Sequence, residues 1–280
     1  MNSAAIEAQL AEIKHLALDM DGTIYLGGTL FDFTPDFLKW LREMGIGYTF
    51  LTNNSSKSAA DYLAHLREMN LQVHSDQLYT SGMATIDYLR TRHPEFRHLF
   101  LLGTESLCDE FRQAGFSIVC QSSEAEPDAV VVAFDSELVY SRLCLAGYWI
   151  EQGKPYIATH PDLVCPTDQR TLLVDCGSIC ACLEKATGRA PDVVLGKPHP
   201  LMLEAIMRRF DLEPRHLAMI GDRLSTDMAM AKNAAAMGIL VLTGEATVAD
   251  LEDCPAPPDL VAADLSEVGR RLSLARSRAV

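Results

Sequence analysis

The chain has 280 residues, 48% hydrophobic and 22% charged, with 24 Lys and Arg against 38 Asp and Glu for a formal charge of −14. That apolar content argues against a disordered chain, and at roughly 100–200 residues per domain the length suits two domains or one large one. The negative charge argues against nucleic acid and anionic membrane as partners, because both are gripped by Lys and Arg.

From the N-terminus, MNSAAIEAQLAEIKHL contains acids and lacks an unbroken apolar core, so it does not read as a signal peptide. No later apolar run approaches the roughly 18–20 residues that span a bilayer. Strands are predicted at 16–19, 48–52, 99–102, 117–120, 129–134, 156–159, 171–174, 192–195, 217–220, 239–242 and 260–262, with helix-period segments between them. This alternation is the mark of a parallel α/β architecture, and runs such as VVVAF suit strands covered on both faces. Thr34-Pro35 is predicted to cap one helix, which Gly45 closes; Ser58 opens another, and Thr226-Asp227 a third. Trp40, Trp149, Met228, Met230 and Met237 read as packing residues, and Arg208-Arg209 as solvated surface. The proline-rich 254–260 segment reads as a loop. The eight cysteines, at 108, 120, 144, 165, 176, 180, 182 and 254, form no CxxC pair. They read as reduced thiols in a cytoplasmic protein rather than as a metal cluster.

The chemistry-bearing residues gather at predicted strand ends. Asp19 and Asp21 close the first strand in LDMDGTIY, Thr52 the second in LTNNS; Lys197 follows VVL in GKPHP, and Asp222 follows LAMI in GDRLSTD. In an open parallel sheet these carboxyl ends form one rim, where ligands bind. On an extended chain Asp19 and Asp21 share a face with Cα atoms roughly 6–7 Å apart. Two such carboxylates repel, and a hard cation such as Mg2+, joined by Asp222, would resolve the repulsion. A carboxylate can also attack phosphorus, while a second one protonates the leaving oxygen and then activates water. The Thr52 hydroxyl and the N–H groups of Asn53 and Asn54 could cup phosphate oxygens, and Lys197 adds a fixed positive charge. Gly22 permits a sharp turn after Asp21. Each piece alone is ordinary surface, cap or turn chemistry; the ordered set is what points to phosphoryl transfer.

These motifs, in this order, resemble those of the haloacid dehalogenase superfamily over nearly the whole chain. LDMDGTIYLGG, TNNSSKS, YIATHPD, GKPHP and MIGDRLSTD are similar to its NagD-like, or p-nitrophenyl phosphatase-like, subgroup. The resemblance implies a Rossmann-like parallel-sheet core, at 1–82 and 192–280, with an inserted α/β cap at 83–191. It implies that Asp19 is the nucleophile and Asp21 the general acid/base. Mg2+ would be held by Asp19, Asp222 and the backbone carbonyl of Met20, in preference to the Asp21 side chain, with Asp227 in support. Thr52, Asn53 and Lys197 would hold the phosphoryl group. His160, Asp162 and Asp168, in the cap loop, are candidates for touching the leaving group, although 159–162 is also good turn chemistry. Asp175 and Gly177 read as capping and turn residues.

The expected activity is a Mg2+-dependent phosphatase acting on a small phosphorylated metabolite; members of the subgroup often pair through the cap, but no stripe in this sequence demands it. The alternatives are phosphoryl transfer to an acceptor other than water, as in a mutase, and a phospho-aspartate signalling switch. Asp21 disfavours the switch, which should preserve its acyl-phosphate rather than hydrolyse it.

Overall fold

The β-branched and leucine-rich runs form parallel strands in the computed structural model, which describes residues 3–119, 124–165, 170–252 and 254–279. Two compact units emerge. One takes the chain up to Leu51, then Leu66–Leu78 and everything from Lys197; the other takes Thr52–His65 and Tyr79–Gly196.

The first unit is built on a six-stranded sheet ordered Leu260–Ala262, Met237–Val241, Leu217–Gly221, His15–Asp19, Gly47–Thr52 and Leu78–Thr80. His15–Asp19 runs parallel to both its neighbours, and its last residue, Asp19, lies beside Leu51. Every residue of His15–Asp19, Leu217–Gly221 and Met237–Val241 is buried, as expected of central strands covered on both faces. Met228, Met230 and Met237 join this core. Trp40 is only half-buried.

The second unit has a five-stranded sheet ordered Val193–Val194, Tyr156–Ala158, Ala129–Val132, His98–Leu102 and Ser117–Ile118, with parallel neighbours. Its core includes Phe100, Val130, Trp149, Tyr156, Ile179 and Leu183. The strand Val193–Val194 therefore does not share a sheet with the three other strands that carry site residues, and the expectation of four strand ends on one rim holds for three.

Other departures are local. The expected strand at 171–174 is reduced to Leu173–Val174, in a short antiparallel hairpin with Val164–Cys165. That strand, the Tyr25–Leu26 and Thr29–Leu30 pair, and Leu78–Thr80 are too short to show alternation in sequence. Thr34 is not a cap: Phe33 occupies that position, and the Thr34 hydroxyl donates to Ile24 O at 2.7 Å. Thr226 and Asp227 lie inside a π-helical turn, Leu224–Met228, rather than opening a helix. Residue 120, the expected end of the 117–120 strand and one of the eight cysteines, lies outside the described residues. Among those residues, no helix is long and apolar enough to cross a membrane.

One core residue has a measurable consequence. His15 is buried against Phe210, with ring centroids 4.4 Å apart, and its Nε2 meets Thr49 Oγ1 at 2.9 Å. Burial lowers its pKa from 6.5 to about 4. Above pH 6.5 neither the folded nor the unfolded chain protonates this ring. Between 6.5 and 4 the unfolded chain takes up a proton that the folded chain refuses, so stability falls as pH falls, by up to about 3 kcal/mol. His15→Gln is expected to flatten this acid limb in urea titrations run from pH 7 to 4; an unchanged slope would exclude His15 as its source.

Candidate active site

Three aspartates and one lysine meet in the first unit. Asp19 ends its strand, and Asp222 directly follows Leu217–Gly221, so parallel pairing brings both to one rim. Asp227 lies one turn beyond Asp222, in the π-helical segment. Single π turns of this kind occur often at functional sites. Carboxylate oxygens of the three lie within 4.8 Å of one another, and all three residues are buried.

Lys197 enters this group, 4% exposed. Its Nζ donates to Asp19 Oδ1 and, at 2.7 Å, to Asp227 Oδ1. Burial alone would lower its pKa, but the two carboxylates hold it above the ordinary lysine range. One cation does not balance three acids. Burial first, then the charge of Asp19, raises Asp222 to about 8. Burial also raises Asp227 to about 6, against the pull of Lys197. Asp222 Oδ1 is buried without a hydrogen-bond partner, while its Oδ2 accepts Glu245 N–H at 2.7 Å. An all-oxygen donor set, surplus negative charge and an orphaned carboxylate oxygen together fit a hard divalent cation.

Glycines let the backbone come this close. Gly22 has φ +78°, and a Cβ there would stand 2.5 Å from Asp222 Oδ2. At Gly244 the same atom would be 1.9 Å away, and at Gly221 a Cβ would strike Asp227.

Asp21 lies half-buried two residues past the strand. Burial, and then the charge of Asp19, raise its pKa, which favours the protonated form a general acid needs. The chain does not stay extended to Asp21. It turns at Met20, whose carbonyl accepts Ile24 N–H at 3.0 Å and those of Thr23 and Tyr25 at 3.3 and 3.4 Å. The Met20 carbonyl thus closes the turn that carries Asp21 past the strand.

The TNNS residues are described within the second unit. Thr52, the residue after Leu51, ends the strand beside Asp19. Its Oγ1 accepts Asn54 N–H at 3.1 Å, so that N–H closes the turn instead of facing a phosphate. Asn53 is 5% exposed, and its Nδ2 donates to both oxygens of Asp162 at 3.2 Å. The Asn54 side chain accepts from Ser56 N at 3.0 Å and Ser56 Oγ at 2.7 Å.

His160 does not present itself to a substrate. It is 0% exposed, with Nε2 3.1 Å from Ser55 Oγ and 3.5 Å from Asp175 Oδ1, and Nδ1 3.5 Å from Asp162 Oδ2. Full burial in this ion-paired cluster replaces the expected contact with the leaving group. Asp175 caps the helix Cys176–Thr187, and Gly177 lies in its first turn. Asp168 lies outside the described residues.

The 243–246 segment escaped the sequence reading. Thr243 Oγ1 donates to Gly22 O at 2.5 Å, and Glu245 N–H holds Asp222. The available signal was a Thr-Gly-Glu run just past a strand, at the same rim as Asp19 and Asp222.

Comparison with known proteins follows the same residues. A family model described as haloacid dehalogenase-like hydrolase matches residues 16–117, and a second, described as HAD-hydrolase-like, matches 194–268. The acid sugar phosphatase of Staphylococcus aureus is 30% identical over 258 residues, 92% of this chain and 97% of the relative. The crystal structure of a 4-nitrophenylphosphatase from Thermotoga maritima superposes with a TM-score of 0.88 at 42% identity, over 94% of this chain and 98% of that one. A glycerol phosphate phosphatase from Mycobacterium tuberculosis, solved in complex with magnesium, superposes with a TM-score of 0.85 at 31% identity, over 94% and 77%.

Proposed function

This chain belongs to the haloacid dehalogenase-like hydrolases and is a phosphatase of small phosphorylated substrates, and we propose that it works with Mg2+ through an aspartyl-phosphate formed on Asp19. The observation that carries this reading is the buried Asp19–Asp222–Asp227 cluster, which Lys197 neutralises only in part. Asp19, Asp222 and Asp227 would hold the ion, which supplies charge neutralisation around the phosphoryl oxygens.

The remaining steps belong to the chain's own side chains. An Asp19 oxygen attacks phosphorus, and the bond from phosphorus to the leaving oxygen breaks. Asp21, whose raised pKa favours the protonated form, gives its proton to that oxygen. The resulting Asp21 carboxylate then takes a proton from water, whose oxygen attacks the phosphorus of the acyl-phosphate; phosphate leaves and Asp19 is regenerated. Lys197, Thr52 and Asn53 hold the transferring group, and Gly22 lets the backbone pass Asp222. Residues 83–191 act as the specificity cap on the core at 1–82 and 192–280. Exposed Val139, Tyr140 and Tyr148 support pairing of two copies through that cap; a monomeric sedimentation coefficient would dismiss it. Seven described cysteines are free thiols, which supports the cytoplasmic placement.

Phosphate release across a panel of phosphorylated metabolites, with Mg2+ or with a chelator, tests the whole reading; release insensitive to the chelator would refute the metal role. Asp21→Asn tests the acid. For glycerol phosphate, whose alkoxide needs a proton to leave, kcat is expected to fall about 10²- to 10⁴-fold. The fall should be smaller for p-nitrophenyl phosphate, whose phenolate leaves unaided. Equal losses on both substrates would count against Asp21 as the acid.

A further inference from the structure

The second unit buries a polar cluster that the mechanism above leaves unused. His160 stands between two carboxylates, with Nδ1 3.5 Å from Asp162 and Nε2 3.5 Å from Asp175. Both ring nitrogens thus face carboxylate oxygens at ion-pair distance, an arrangement that favours the doubly protonated ring. Its surroundings agree with this. Burial works against the charge, while the carboxylates of Asp162 and Asp175 work for it and raise the ring's pKa.

The cluster reaches two phosphate-handling segments. Ser55 Oγ accepts Phe134 N–H at 3.0 Å and lies 3.1 Å from His160 Nε2 and 3.0 Å from Thr159 Oγ1. Asp162, beside the His160 ring, receives the side-chain amide of Asn53. So the His160–Asp162 pair meets the 52–55 turn at two points. The second segment is Gly196, the residue before Lys197. It has φ +67°, and a Cβ there would stand 2.7 Å from Asn53 Oδ1, 2.8 Å from Thr159 O and 2.9 Å from His160 Cβ. No side chain fits between this cluster and the backbone that delivers Lys197.

We propose that His160, charged and clamped between Asp162 and Asp175, is a positioning residue that sets the 52–55 turn and the Gly196–Lys197 backbone for phosphate binding without touching the substrate. The proposal rests on the assignment of that turn to the phosphoryl group. It separates His160 from the leaving group: the His160 effect belongs to the phosphate, which every substrate shares.

The experiment compares the wild-type protein with His160→Gln, using kcat/KM on p-nitrophenyl phosphate and on glycerol phosphate, and inhibition by inorganic phosphate. The variant is expected to lose at least about tenfold in kcat/KM, by the same factor on both substrates, with phosphate inhibition weakened in parallel. Losses that differ tenfold between the two leaving groups would overturn the proposal in favour of direct contact. A fall in kcat alone, with phosphate inhibition unchanged, would overturn it in favour of a merely structural role. Asp162→Ala, which removes the Asn53 anchor but leaves the His160–Ser55 contact, is expected to reproduce the loss and stands in if His160→Gln does not fold. Amide hydrogen exchange over 52–56 supplies a readout independent of activity. Faster exchange in both variants supports the positioning role even if the wild-type protein hydrolyses no phosphate ester, an outcome that would refute the phosphatase reading alone. Unchanged exchange would overturn the proposal.

Discussion

Asp19→Asn is expected to yield a folded protein whose phosphate release from p-nitrophenyl phosphate falls by at least about 10⁴-fold, the scale seen when a nucleophile is removed from a preorganised site. The amide keeps the size of the carboxylate and one oxygen to accept from Lys197, so the network around Lys197 survives. It also removes one of three mutually repelling acids, which lessens the strain recorded in the raised pKa values of Asp222 and Asp227. Lys197 keeps its ion pair with Asp227, so the loss of stability should be smaller than for removal of the lysine itself. What is lost is nucleophilicity, because an amide oxygen cannot form the acyl-phosphate. Phosphate release under saturating Mg2+, with a urea unfolding curve of the same sample, makes the measurement. Turnover near the parent rate would remove Asp19 from the role of nucleophile.

Lys197→Met is expected to damage both stability and activity. Lys197 is the cation bonded to Asp19 and Asp227, and both ion pairs are buried. Removing one partner of a buried pair leaves the other charge uncompensated, at a cost of about 3–5 kcal/mol. Here two pairs share the lysine, and Asp222 adds a third acid to the group. The loss should shrink when Mg2+ is added, because an ion that binds the folded carboxylates and not the unfolded chain shifts the equilibrium toward the fold. Urea titrations of the variant with Mg2+ and with a chelator read this directly. Unaltered stability without metal would show that the pair is not what holds the carboxylates together. Stability that ignores Mg2+ would argue against the Asp19–Asp222–Asp227 cation site.

Much of this was legible in the chain itself. The parallel α/β class followed from alternating apolar runs and helix-period segments. Asp19, Asp222 and Lys197 stood out because each follows an apolar run that must become a buried strand. Strand formation then brings carboxyl ends to a rim whatever the loops do. What sequence reading placed less well was direction. Asp162 and His160 read as turn residues that could reach a leaving group, and the backbone groups of Met20 and Asn54 as ligands for a metal or a phosphate. The turns at Met20 and Asn54 are set by local geometry, whereas the burial of His160 rests on Ser55 and Asp175, which are distant in the chain.

The composition and the order of the motifs determined a parallel sheet with phosphoryl-transfer chemistry at its strand ends, too few cations to bind a polyanion and several carboxylates suited to a hard ion; the family resemblance narrowed this to a phosphatase. The tertiary structure decided how those charges are shared. It placed Lys197 between Asp19 and Asp227, left Asp222 with an unpartnered oxygen, and closed His160 away between Asp162 and Asp175. The reason is that strand formation depends on local apolar patterning, which a sequence displays. The protonation and partners of a buried acid or imidazole depend on residues that lie far apart in the chain and are brought together by the fold.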